Sequence, residues 1–153
     1  MTTEYSEVFD LFMVQVKDWR LDALYAASVP NFETYLEGFL IQVVPEFSVF
    51  CDQSLERDDT AETFDETLTD KNKQMLAKLM IQVWLEKEVQ DVRQMNLHIT
   101  GKDWNTYSEA QNLKGKTDYL IVVMEKNSQA IIDYAWHGKD FTDWIAGEFP
   151  TGA

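Results

Sequence analysis

Cysteine is nearly absent from this chain of 153 residues. Cys51 stands alone, so no intrachain disulfide can form. A lone thiol fits synthesis in a reducing, intracellular compartment. Long apolar runs are missing too. None approaches the roughly 18–20 residues that span a bilayer, so no membrane partner is expected. The opening stretch MTTEYSEVFDLF has no basic region leading into an apolar one, and a signal peptide is not expected. Bases are scarce: 13 Lys and Arg stand against 27 Asp and Glu, a net charge of −14. A grip on the nucleic-acid backbone needs clustered Lys and Arg, so sequence-specific nucleic-acid binding is not expected.

Reactive groups are equally thin. The only two histidines, His98 and His137, fall at a joint and at a helix end, outside any HExxH-like spacing. No phosphate-binding GxxxxGKS/T or GxGxxG occurs, and the acidic stretch does not follow the calcium-loop pattern. Cys51 reads as a small hydrophobe. Glu86 and Glu88 point to different faces of one helix, because residues two apart do not line up. Glu109 and Asp118 read as surface carboxylates. The expectation is a protein without cofactor or metal that is not an enzyme and works through its surfaces.

The composition is that of a globular domain, with 45% apolar and 13% aromatic residues. Charge is unevenly placed. Residues 1–70 hold 16 acids against three bases (Lys17, Arg20, Arg57), a net of −13, while residues 71–153 hold 11 acids and 10 bases. That asymmetry serves solubility, or it forms an acidic face that meets a basic partner or repels DNA.

Helical periodicity organises most of the chain. Val8, Phe9, Phe12, Met13 and Val16 predict a helix from about Glu4 to Lys17. Residues 18–30 either extend it or pack as a loop closed by Pro30. Asn31 offers an N-cap to a second helix carrying Phe32, Tyr35, Leu36, Phe39, Leu40 and Val43, with Pro45 at or just past its end. Residues 46–70 are the expected irregular region. Its acids Glu56, Asp58, Asp59, Glu62, Asp65 and Glu66 predict an exposed loop, with Phe64 and Leu68 as anchors to the core.

Thr69 and Asp70 mark the start of a third helix, whose Met75, Leu76, Leu79, Met80, Val83 and Trp84 form two apolar rows. The joint NLHITGKD carries capping-box spacing from Thr100 to Asp103. A fourth helix then runs from Trp104 through Tyr107 to Tyr134, with Gly115 as a possible interruption. Its run from Leu120 to Met124 also fits a short buried strand. Leu79, Met80, Trp84, Trp104 and Tyr107 are the expected core anchors.

The pattern breaks at Gly138. Phe141, Trp144, Ile145 and Phe149 then form an apolar tail that either folds back on its own helices or serves as a partner-docking arm. The expected architecture is all-α: about four helices, a long antiparallel hairpin, an acidic loop, a helical domain at 1–137 and a C-terminal arm at 138–153.

The segments FDETLTDKNKQMLAKLMIQVWLEKEV and GKDWNTYSEAQNLKGK resemble a group of small tailed-bacteriophage structural proteins. The likeness is carried by Phe64, Asp65, Leu68, Thr69 and Asp70, then Leu76, Ala77, Leu79, Met80, Trp84 and Leu85. After the joint it is carried by Asp103, Tyr107, Ser108, Ala110, Asn112 and Leu113. It covers roughly residues 64–114 and stops short of the tail.

The resemblance implies a head–tail connector, or neck adaptor, made in the host cytoplasm and resident in the virion neck. Its implied partners are the portal protein, the tail or a second neck protein, and copies of itself in a ring, with no more than passing contact with genome DNA. Rival readings are a head-completion or tail-terminator subunit, and an acidic host-directed inhibitor that mimics DNA.

Overall fold

The computed structural model describes residues 2–98 and 105–137. The joint with its Thr100–Asp103 capping box, Trp104 and the arm residues Phe141, Trp144, Ile145 and Phe149 lie outside the described residues. So do the side chains of residues 95–98 and 105–110, Tyr107 and Glu109 among them.

The chain is mostly helical, with five helices and a three-stranded sheet among the described residues. In order they are β1 (Thr3–Glu4), α1 (Tyr5–Gln15), α2 (Trp19–Ala27), α3 (Val29–Ser48), β2 (Arg57–Asp58), β3 (Thr63–Phe64), α4 (Asp70–His98) and α5 (Asn105–Trp136). The sheet was not expected. Its strands are only two residues long, too short for any alternation to show. β3 lies between β1 and β2, antiparallel to both, with Phe64 opposite Thr3 on one side and Arg57 on the other. Residues 46–70 are therefore less irregular than the sequence suggests.

The starts of α1, α2 and α3 each have a chemical cause. Glu7 accepts a hydrogen bond from the Glu4 backbone N–H at 3.4 Å at the head of α1. Asp18 accepts from the Arg20 N–H at 2.8 Å and opens α2, a helix of its own where an extension or a loop was expected. Ser28, not Asn31, caps α3, accepting from the Asn31 N–H at 3.4 Å. Pro30 thus opens a helix where it was read as closing a segment. In the first turn the missing N–H would have had no partner anyway. Pro45 sits inside α3, which continues to Ser48. Both Pro45 and Ile41, whose carbonyl the proline leaves without its helical donor, are exposed, so water can satisfy that group.

Helix α4 is the centre of the fold. It packs against α1, α3 and α5, and from Met75 to Ile81 it is buried nearly all round. The core joins Phe9 and Phe12 of α1, Leu36, Leu40 and Phe47 of α3, Phe64 of β3 and Leu76 and Met80 of α4. Phe64 and Leu68 anchor the acidic segment as expected, at 0% and 3% exposure. Helix α5 lies antiparallel to α4. Lys116 meets Glu88, Asn127 meets Lys78 and Tyr134 meets Asn72. The run Leu120–Met124 is helical, not strand, and Gly115 leaves α5 unbroken with open space around it.

Candidate functional site

The acidic residues Glu56, Asp58, Asp59, Glu62, Asp65 and Glu66 are all exposed, arranged around the β2–β3 hairpin. Two of them are committed to holding that hairpin. Asp58 accepts from the Thr60 and Ala61 N–H groups at 2.8 and 3.1 Å. Asp59 accepts from the Tyr5 hydroxyl at 2.7 Å and from Arg57 Nε at 2.8 Å. Those hydrogen bonds, from Tyr5 first and then Arg57, hold the Asp59 carboxyl below the usual aspartate range. The same contact and, above all, burial push the Tyr5 phenol upward. Glu62 adopts φ 54, a left-handed conformation that disfavours a side chain.

The acid face extends onto α3. Burial first, then the charges of Glu62 and Asp59, raise the Glu37 carboxyl. An open groove of about 740 Å3 runs beside the hairpin, bordered by Pro45, Gln53, Glu56 and Asp65. Among the described residues no group of three or more His, Cys, Asp or Glu is placed to hold a metal ion.

The expected core anchors Leu79, Met80 and Trp84 are buried, and the Trp84 ring meets Phe12 edge-on at a centroid distance of 6.2 Å. Cys51 is half-buried, not enclosed. Its thiol, 3.8 Å from the Tyr134 hydroxyl, is pushed up by burial, which suppresses the reactive thiolate.

Sequence reasoning missed the polar ties that fasten α5. Tyr134 Oη lies 2.7 Å from Asn72 Oδ1, hydrogen-bonds the Asp52 carboxylate and accepts from the Asp52 N–H at 3.0 Å. Asn72, fully buried, donates to Asp52 Oδ1 at 2.9 Å and Gln53 Oε1 at 2.7 Å. The Tyr134 and Asn72 contacts hold Asp52 below the usual range. Asn127, also buried, donates to the Lys78 carbonyl at 3.1 Å and to Gln82 Oε1 at 3.0 Å. Glu88 is buried between Arg20 of α2 and Lys116 of α5, the latter at 2.9 Å. Its signal in the sequence was an acid set among Trp84, Leu85, Val89 and Val92.

α5 exposes large apolar residues among its polar ones: Ile121, Met124 and Ile132 away from α1, and Tyr119 and Val122 on the side of α1, each between 42% and 52% exposed. No described helix is long and apolar enough to cross a membrane. Compared with known proteins, the chain matches no family model, no curated protein and no solved structure.

Proposed function

We propose that this chain is a structural subunit of a tailed-phage virion, a head–tail connector that packs side by side in a ring between portal and tail. One observation carries the reading. Those residues of the resemblance that run from Asp70 to Leu85 and from Tyr107 to Leu113 fall on an antiparallel α4–α5 hairpin, and α5 leaves Ile121, Met124 and Ile132 exposed toward a neighbour. A ring subunit needs a rigid helical body and heterologous side contacts. Many weak contacts in a ring add up through avidity. An acidic face such as the β2–β3 hairpin, turned toward a channel, would repel DNA and let it slide.

The test is cryo-EM of purified particles with the neck reconstructed separately from the head. Ring density for this chain between portal and tail supports the reading, and its absence from the particle overturns it. Density at the tail end or in a head-completion layer would favour the rival virion roles. The concentration of carboxylates from Glu37 to Glu66 favours the DNA-mimic alternative, for which competition with DNA for a host DNA-binding protein is the discriminating assay.

A further inference from the structure

Between the end of α1 and the α4–α5 pair runs a groove in two sections, of about 370 and about 300 Å3. The sections share Gln15, Ile81 and Tyr119 and so adjoin one another. The floor is apolar: Ile81, Val122 and Val123 in the first section, Trp84 and Leu85 in the second. The rim is basic, with Lys78 and Lys126 along one section and Lys17 and Lys116 along the other. Four of the chain's 13 bases thus border a single groove of a protein whose net charge is −14. Lys116 pairs with Glu88. Among the described residues Lys17, Lys78 and Lys126 make no ion pair. Asp18 and Glu88, the acids of the second section, are already engaged by Arg20.

An apolar floor under unpaired lysines calls for an apolar, acidic segment, and we propose that residues 138–153 of the same chain fill it. That stretch carries Phe141, Trp144, Ile145 and Phe149 interleaved with Asp140, Asp143 and Glu148. Length agrees with charge. Lys126 and Lys116 lie ten and twenty residues back from Trp136, about 15 and 30 Å along α5. Phe141 to Phe149 lie five to thirteen residues beyond Trp136, a reach of about 16 to 43 Å when extended. A glycine at position 138 would make the reversal that this seat needs at little cost. Extended, residues 141, 145 and 149 share one side of the backbone and would face the floor together. The tether also favours the chain's own segment, which is present at a millimolar effective concentration. This inference does not depend on the connector reading.

The test is zero-length carbodiimide cross-linking of the full chain, mixed from unlabelled and 15N-labelled copies and read by mass spectrometry. Links from Lys78, Lys116 or Lys126 to Asp140, Asp143 or Glu148 within one isotopic copy are expected. Mixed-isotope links would overturn the proposal in favour of a second copy as the occupant. A lack of links from groove to segment would overturn the groove as its seat.

A charge-swap series gives a second measurement. In Lys78→Glu with Lys126→Glu, proteolysis of residues 138–153 should quicken on the order of tenfold, the equivalent of two exposed ion pairs. Adding Asp140→Lys and Asp143→Lys should restore protection. Unchanged cleavage in the first variant, or no rescue in the second, would also overturn the proposal.

Discussion

Helices α4 and α5 are neighbours in sequence and lie antiparallel, yet they handle apolar residues in opposite ways. α4 has company on several sides, and Leu76, Ala77 and Met80 are wholly enclosed. α5 leans chiefly on α4 and leaves Ile121, Val122 and Met124 exposed, although its central run is as apolar as anything in α4. Burial is thus set by how many elements surround a helix, not by its own composition. α4 is held by packing. α5 packs on α4 along one narrow stripe, Leu120, Val123 and Ile131, and adds a ladder of polar contacts at Lys116, Asn127 and Tyr134. A surface that binds something else must stay open, and a helix fastened by a few directional contacts can do so while keeping its position.

The largest expected effects test the packed side of this contrast. Trp84→Ala removes a ring stacked edge-on against Phe12 and should destabilise by about 3–5 kcal/mol in chemical denaturation. Ile132→Ala, on a residue 50% exposed and outside the groove beside α1, should change stability by no more than about 0.5 kcal/mol. Equal losses from the two would break the contrast, because they would mean that α5's flank is covered within the monomer.

The next effect tests the polar ladder. Tyr134→Phe keeps the ring against Phe47 but removes the hydroxyl that accepts from the Asp52 N–H and donates within the Asp52–Asn72 cluster. The expected cost is about 1–3 kcal/mol. Amide exchange should locate it. Residues near the end of α5 should lose protection while those around Phe12 and Leu36 keep theirs. Uniform loss would make α5 part of one cooperative unit with the body.

Glu88 should matter less than its burial suggests. Glu88→Gln weakens the tie from α2 to α5, but the cations it leaves, Arg20 and Lys116, have side chains 46% and 28% exposed and can return to water. A loss of about 1 kcal/mol is expected, read by thermal melting, well below the toll for stranding a fully enclosed charge. A loss near that of Trp84→Ala would show that the ion triad, not packing, organises this end of the molecule.

The same physics divides what was legible in the sequence from what was not. The stripes of α1, α3 and α4 repeat at 3.6 residues because each faces a continuous core, so Phe12, Leu36, Met80 and Trp84 were found. α2 buries only Leu21 and carries almost no periodic signal. Pro30 and Pro45 misled because a proline breaks a helix only where a partnered N–H is needed. Two-residue strands have no period at all. The site's polar ties join residues 19 to 83 positions apart, such as Gln53 with Asn72 or Cys51 with Tyr134, and nothing local announces such a pairing. Glu88 was seen and read as one of two unremarkable carboxylates, since its partners, Arg20 and Lys116, lie 68 and 28 positions away.

The smallest effect, acid sensitivity, separates the two halves most finely. Asp52 ties the loop after α3 to α5, and Asp59 ties the acidic hairpin to Tyr5 of α1. Both carboxyls are held below their ordinary value of about 3.9, Asp52 by Tyr134 and Asn72, Asp59 by Tyr5 and Arg57. A carboxyl lowered in the folded state binds its proton less well there than in the unfolded chain. Its contribution is therefore complete above about pH 4 and fades as pH falls through the folded value. Glu37 works the other way. Raised by burial and by Glu62 and Asp59, it favours the folded state more once protonated, and that gain is lost as pH rises through its folded value.

The melting temperature should accordingly hold or rise slightly from pH 7 to 5, then decline below about 4. Because Asp52 and Asp59 are exposed, solvent screening keeps the decline shallow. Tyr134→Phe should flatten the part of that decline due to Asp52, and Tyr5→Phe the part due to Asp59. If both variants track the wild-type curve in parallel, neither aspartate is a lock. The attachment of α5 would then have to come from packing on α4, and the difference between the two helices would be one of degree only.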